Sequence, residues 1–212
     1  YYKLIQQRRE KPQDDMISRL IETEIERDGQ VDKLTDVDIA GFATLLGGAG
    51  AETVTKLIGN AMVAFADFPD QWQSLRQDRS KIPAAIEELL RYEAPSQYQV
   101  RTTTRDVTLH GVTIPEDSVV LLLTASATRD ERMFPDPDRL DIDRERKMGF
   151  NLAFGYGVHS CLGAALARME SRIALNALLD ILPGYEVDRS GLKRVAMSNV
   201  AGYSNVPVRR VG

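Results

Sequence analysis

Apolar positions recur along the chain with two different periods. In DDMISRLIETEIERDG, Met16, Ile17, Leu20, Ile21 and Ile25 fall at helical spacing, which predicts an amphipathic helix halted at Gly29. Thr35 and Asp38 have the form of a capping box, and a mostly apolar pattern then runs from Ile39 to about Ala66, short of Pro69. At a rise of about 1.5 Å per residue such a helix is about 40 Å long, enough to cross a whole domain. SKIPAAIEELLRY, residues 80–92, predicts a further helix closed by Pro95. From Asp106 the period falls to two. DVTLHGVTIPEDSVVLLL alternates and turns at His110-Gly111 and at Pro115-Glu116-Asp117, which predicts a small antiparallel meander. RDERMFPDPDRLDIDRERKMG is rich in Pro, Asp and Arg and predicts an irregular connection tied by charge pairs. Helical spacing returns at Leu162, Leu166, Met169, Ile173 and Leu178 and ends at Pro183-Gly184. The predicted fold class is mainly α with small antiparallel β elements.

Composition narrows the setting. The 212 residues are 43% hydrophobic, enough to bury a core as one or two domains. A net charge of -4 and a pI of about 5.3 give no general attraction to nucleic acid or to a membrane surface. No apolar run approaches the roughly 20 residues that span a bilayer, and YYKLIQQRRE lacks the apolar centre of a signal peptide. That start, without an initiator methionine, has the character of mid-chain sequence. One cysteine, Cys161, allows no internal disulfide, and two histidines, His110 and His159, are too few for a Cys/His zinc cluster. A reducing, cytoplasmic setting is expected.

The lone cysteine lies in FGYGVHSCLGAALARME, between a glycine-punctuated loop and the start of the last helical pattern. Free backbone N–H groups and the positive dipole end there favour a thiolate, which is either a nucleophile or a metal ligand. A nucleophile needs a base, and His159, two residues away, is poorly placed to form a working pair. A ligand needs room above the sulfur, and Gly155, Gly157 and Gly163 remove side chains around it as if a flat, bulky group lay against the loop. A buried, inert cysteine is the plainer alternative.

FGYGVHSCLG resembles the haem-binding loop of the cytochrome P450 superfamily, with Phe154, Gly155, Gly157, His159, Cys161 and Gly163 on the pattern. The resemblance implies haem b, with Cys161 as the thiolate ligand of its iron. It implies further that Phe154 packs near the sulfur, that loop amides tune the thiolate, and that His159 and Arg101 hold haem propionates. EELLR supplies Glu88 and Arg91 at i, i+3, and PDPDRLD supplies Arg139. Alone, Glu88 and Arg91 read as a solvated helix pair. By resemblance all three form a buried ion triad bracing the cysteine loop. On the long helix, LLGGAGAETV places Gly47, Gly48 and Gly50 at interior positions, each costing about 1 kcal/mol relative to alanine. Close packing against another helix is one account of these glycines. The other is the family's distal helix over the haem, where Ala49, Gly50, Glu52 and Thr53 match its pattern and Glu52 and Thr53 manage water and deliver protons to oxygen.

The resemblance runs from about Asp14 to Val208 and implies the C-terminal half of the family fold, with residues 1–212 as one haem-binding half-domain and the N-terminal half absent. The implied function is a haem-thiolate monooxygenase that inserts one atom of O2 into a lipophilic organic substrate. The competing reading is a non-catalytic haem-binding or sensing module, or an inactive fragment. Candidate pocket residues are Thr44, Leu45, Gly48 and Ala49, then Gln97 to Val100, and Val200 to Tyr203, mostly small or apolar. No flavin or nicotinamide fingerprint and no cysteine cluster is present in the sequence, so electrons would come from a ferredoxin with its reductase or from a flavin reductase. Arg105, Arg168 and Arg172 are candidates for a basic docking face. The isolated chain is expected to be inactive, weak in haem affinity and prone to associate with itself.

Overall fold

The computed structural model describes residues 1–145, 151–197 and 199–211. It divides into two compact units, residues 1–52 and 53–212.

The first unit holds α1 (Tyr2–Glu10), α2 (Met16–Glu22), a hairpin of β1 (Glu24–Arg27) and β2 (Gln30–Lys33), and the first part of α3 (Asp36–Asp67). Asp15 starts α2 by accepting the Ser18 N–H at 2.9 Å. The capping box before α3 forms as the sequence predicts: Asp38 N–H donates to Thr35 Oγ1 at 3.1 Å, and Thr35 N–H donates to Asp38 Oδ2 at 2.9 Å. Ile5, Ile17, Ile39, Ala40 and Ala43 close the core of this unit. The helix predicted as far as Gly29 ends at Glu22. Beyond it Asp28 and Gly29 both take positive φ, 52° and 78°, and their two-residue turn closes the hairpin in the register Glu24↔Lys33 to Arg27↔Gln30. The Asp-Gly turn outweighs the helical spacing of Ile25.

α3 is a 32-residue helix that passes without a break through Gly47, Gly48 and Gly50. A Cβ at Gly47 would lie 3.2 Å from the Tyr1 hydroxyl, whereas one at Gly48 or Gly50 would meet no described atom within 4 Å outside the neighbouring helix backbone.

In the second unit the end of α3 packs with α4 (Pro69–Gln77), α5 (Ile82–Tyr92) and the last long helix around Phe65, Leu75, Leu89, Leu140, Ile142 and Leu175, each at most 2% exposed. The sequence pattern missed α4, which starts with Pro69 at its first position and turns Trp72 and Leu75 inward. The predicted meander is two separate ladders. β3 (Gln99–Thr102) pairs with β6 (Val119–Leu122), and β4 (Val107–Leu109) pairs with β5 (Val112–Ile114) across a turn with His110 at φ 50° and Gly111 at φ 80°. Proline cannot donate to a ladder, and at Pro115 the chain instead gives its carbonyl to Thr103 Oγ1 at 2.6 Å, which directs β6 to β3. After the single turn α6 (Thr124–Ala127) the connection to residue 145 has no regular element, yet it inserts Leu140 and Ile142 into the core. α7 (Ala164–Ile181) occupies the predicted last helix, and two short ladders follow, β7 (Tyr185–Val187) with β10 (Val208–Arg210) and β8 (Lys193–Arg194) with β9 (Tyr203–Asn205).

Candidate functional site

The cysteine loop is built from two short 3-10 turns, residues 152–154 and 157–159. Asn151 opens the first by accepting the Ala153 N–H at 3.0 Å, and its Nδ2 donates to the Glu87 carbonyl of α5 at 3.0 Å. Gly155 sits at φ 73°, where a Cβ would press to 3.3 Å from the His159 carbonyl, so the chain needs glycine here both for its backbone angle and for space. Gly157, also at positive φ, 70°, begins the second turn. The loop closes when Cys161 N–H donates to the Phe154 carbonyl at 2.7 Å. Gly163 is the N-cap of α7, and a Cβ on it would lie 3.9 Å from Cys161 Sγ, so the flank of the sulfur stays open. Cys161 and His159 are exposed and Phe154 is partly buried.

Beneath the loop, Glu88 and Arg91 of α5 form a buried pair, each side chain 3% exposed. Arg91 Nε and Nη2 reach the two carboxylate oxygens at 2.9 and 2.8 Å. Its remaining hydrogens go to the carbonyls of Thr128 (3.1 Å), Pro137 (2.8 Å) and Arg139 (3.0 Å). Glu88 Oε1 also accepts from Asp141 N–H at 3.0 Å and from Arg144 Nε at 3.1 Å. The second arginine on the carboxylate is thus Arg144, where the sequence reading placed Arg139. Arg139 is exposed and contributes its backbone, since its carbonyl accepts from both Arg91 and Arg144. The stretch carries Asp-Arg at 138–139 and again at 143–144, and spacing in an irregular segment does not choose between them. Local geometry does. Asp136 at φ 48° opens a turn in which Arg144 Nη2 binds the Asp136 carbonyl at 3.1 Å.

Other predicted residues are brought together in part. The segments holding Gln97 and Val200 lie side by side: Ser96 bridges Val200, Gln97 N–H donates to the Asn199 carbonyl at 3.0 Å, and Ala201 N–H donates to Pro95 at 2.7 Å. Asn60 of α3 anchors this junction by donating to the Glu93 carbonyl at 3.1 Å and to that of Ala201 at 3.4 Å. Gly202 is packed so closely that a Cβ would lie 2.7 Å from Lys56 Cβ. Val100 is exposed, and Tyr203 lies under the Arg194 guanidinium at 4.9 Å. Arg101, exposed on β3, donates to the Val100 carbonyl at 2.8 Å. Glu52 and Thr53 are consecutive and partly buried on α3, while Thr44, Leu45, Gly48 and Ala49 are exposed on its earlier turns. Of the candidate basic face, Arg105, Arg168 and Arg172 are all exposed. Arg168 is held by the Glu87 carboxylate, which raises its pKa above the ordinary arginine value.

Comparison with known proteins agrees with this architecture. The family model for cytochrome P450 matches residues 1–182, and the chain belongs to that family. The protein named cytochrome P450 123 in Mycobacterium tuberculosis is 46% identical over 209 residues, which are 98% of this chain and 50% of that protein. The vitamin D(3) 25-hydroxylase of Pseudonocardia autotrophica is 41% identical over 97% of this chain and 50% of its own length. The crystal structure of a Bacillus megaterium cytochrome P450 in complex with testosterone superposes with a TM-score of 0.89 at 37% identity, covering 99% of this chain and 57% of that one. The chain spans about half the length of the curated relatives it matches.

The family implies haem, and the loop fits such a group. Among the described residues no three His, Cys, Asp or Glu side chains group as a metal site. Cys161 is exposed, and a Cβ at Gly163 would lie 3.9 Å from its sulfur. The same loop presents Val158 (97% exposed), Leu162 (77%) and Tyr156 (72%), apolar surface suited to a large flat ligand or a covering partner.

Proposed function

We propose that this chain is the haem-binding, C-terminal half of a monooxygenase that inserts one oxygen atom of O2 into a lipophilic organic substrate. The observation that carries the proposal is the exposed Cys161, held by its own N–H on the Phe154 carbonyl in a glycine-shaped loop, within a chain that belongs to the cytochrome P450 family. Haem b would be held by Cys161 at the iron, by Phe154, Gly155 and Gly163 along the loop, and by His159 and Arg101 at the propionates. When bound, haem supplies the activation of dioxygen, which side chains alone do not perform.

The chain's own residues position and protonate. The loop holds the thiolate in one orientation, and hydrogen bonding to the loop sets its electron density. Glu52 through its carboxylate and Thr53 through its hydroxyl would hold water and hand on protons beside the haem site. Gln97, Val100, Val200 and Tyr203 in the second unit are substrate-pocket candidates, as are Thr44, Leu45, Gly48 and Ala49 on α3 in the first; their mostly small or apolar character supports a lipophilic substrate. Two relatives carry the names vitamin D(3) 25-hydroxylase and erythromycin C-12 hydroxylase, in keeping with hydroxylation of bulky organic molecules. The electrons come from a ferredoxin and its reductase or from a flavin reductase in the cytoplasm. No helix among the described residues is long and apolar enough to cross a membrane.

The ferrous carbon monoxide spectrum of the haem-loaded chain tests the assignment. It should report thiolate ligation, and Cys161→Ala should abolish that signature; an unchanged spectrum would refute Cys161 as ligand. In a complete enzyme containing this segment, Thr53→Ala should keep haem and divert reducing equivalents into peroxide. The same yield of product per electron in the variant would rule out the proton-delivery role.

A further inference from the structure

The two adjacent carboxylates of α5 serve different partners. Glu88 closes the buried network, whereas Glu87 faces the cysteine loop. The Glu87 carbonyl accepts from Asn151 Nδ2 at 3.0 Å, and Asn151 in turn opens the first loop turn. Its carboxylate receives Arg168 Nε at 2.5 Å and Nη2 at 3.3 Å. The Arg168 guanidinium lies over the Phe154 ring, 4.6 Å from its centroid. Phe154 completes the path by accepting the Cys161 N–H at 2.7 Å. A continuous set of contacts therefore runs from α5 through the second turn of α7 to the backbone that carries the thiol.

We propose that Glu87 and Arg168 are a positioning pair that fixes the Cys161 segment against α5. The inference rests on the reading of Cys161 as the iron ligand for its functional meaning, but not for its geometry. Arginine suits the task because a planar fork can give its edge to a carboxylate and its face to a ring at once, which an ammonium cannot. While paired with Glu87 and stacked on Phe154, the Arg168 side chain is still 45% exposed. Glu87 repeats this division of labour, using its backbone for one end of the loop and its side chain for the other.

Amide hydrogen exchange on the haem-free 212-residue chain tests the pair directly. Glu87→Gln and Arg168→Lys should each speed exchange in residues 151–163 by roughly fivefold, the effect of losing one partly exposed ion pair together with one cation–π contact, and leave α4 unchanged. The double variant should exchange no faster than either single one, because the two side chains act as a unit. In the haem-loaded chain both single variants should move the carbon monoxide band and the midpoint potential by similar amounts, with no further movement in the double variant. Unchanged loop exchange in all three variants, or effects that simply add, would overturn the proposal. If Cys161→Ala leaves the thiolate spectrum intact while the exchange results hold, the ligand assignment fails and the pair stands as a structural clamp only.

Discussion

Arg91 is buried with a hydrogen-bond partner for each of its five donor hydrogens, two on Glu88 and three on backbone carbonyls. A guanidinium taken out of water is tolerated only on such terms, because any hydrogen left unmatched carries its full desolvation cost. Removing one partner exposes that cost: Glu88→Gln or Arg91→Ala should destabilise the fold by about 3–5 kcal/mol in denaturant titration. Arg144→Ala should cost about 1–3 kcal/mol, since Glu88 and the carbonyls of Pro135, Asp136 and Arg139 lose a charged donor. Arg139→Ala, at an exposed side chain whose carbonyl survives the change, should stay within about 0.5 kcal/mol. Equal losses at the two arginines would contradict the arrangement. The helical spacing of Glu88 and Arg91 made their pairing legible in the sequence. The choice of Arg144 was not, because it depends on turns set by Asp136 and by the carbonyls of the connection.

At the scale of elements, β7 is fastened to α3 through Tyr185. Its hydroxyl donates to the Met62 carbonyl at 2.7 Å, and its ring meets Trp72 edge-on with centroids 5.3 Å apart. Trp72 in turn donates to the Leu182 carbonyl at 3.1 Å, so α4, the end of α7 and β7 converge on two aromatic side chains. Burial, with the Asp67 carboxylate as the smaller cause, pushes the Tyr185 phenol above its ordinary value of 10.0. A folded-state pKa raised above the unfolded one means that the stabilisation is complete below about pH 10 and is lost as pH rises beyond it. Tyr185→Phe should cost about 1 kcal/mol at neutral pH, the worth of one hydrogen bond, and should shrink the alkaline loss of stability. Parallel stability-against-pH curves for the two proteins between pH 7 and the alkaline limit would count against this account. Neither α4 nor β7 was visible as a pattern: Trp72 and Leu75 are too few to define a helical face, and a three-residue strand is too short to show alternation.

For the whole molecule, the surface of α7 carries the clearest prediction. Leu166 (50% exposed), Met169 (47%) and Ile173 (61%) continue the helical stripe begun by Leu162 (77%). These are positions whose spacing marks the helix in the sequence, yet they face outward, and the buried residues of α7 are Ser171, Leu175 and Leu179. Apolar stripes of that kind are covered by a partner or drive association, so light scattering should show concentration-dependent growth in mass, reduced by Leu166→Glu with Ile173→Glu. A monodisperse monomer at high concentration for the unaltered chain would disprove it. Periodicity, glycine placement and the single thiol are local properties, and by themselves they determined the long helix, the last helix, the capping box and a loop shaped around Cys161. The hairpin at 24–33 is local too, set by the adjacent Asp28 and Gly29. Tertiary structure decided the remainder: that β6 leaves its neighbour in sequence for β3, that Arg144 reaches Glu88, and that Glu87 and Arg168 meet across the loop. Those outcomes depend on which distant groups become neighbours when the core closes, and the energies that select them arise from desolvation and hydrogen-bond matching between segments with no fixed spacing in the chain.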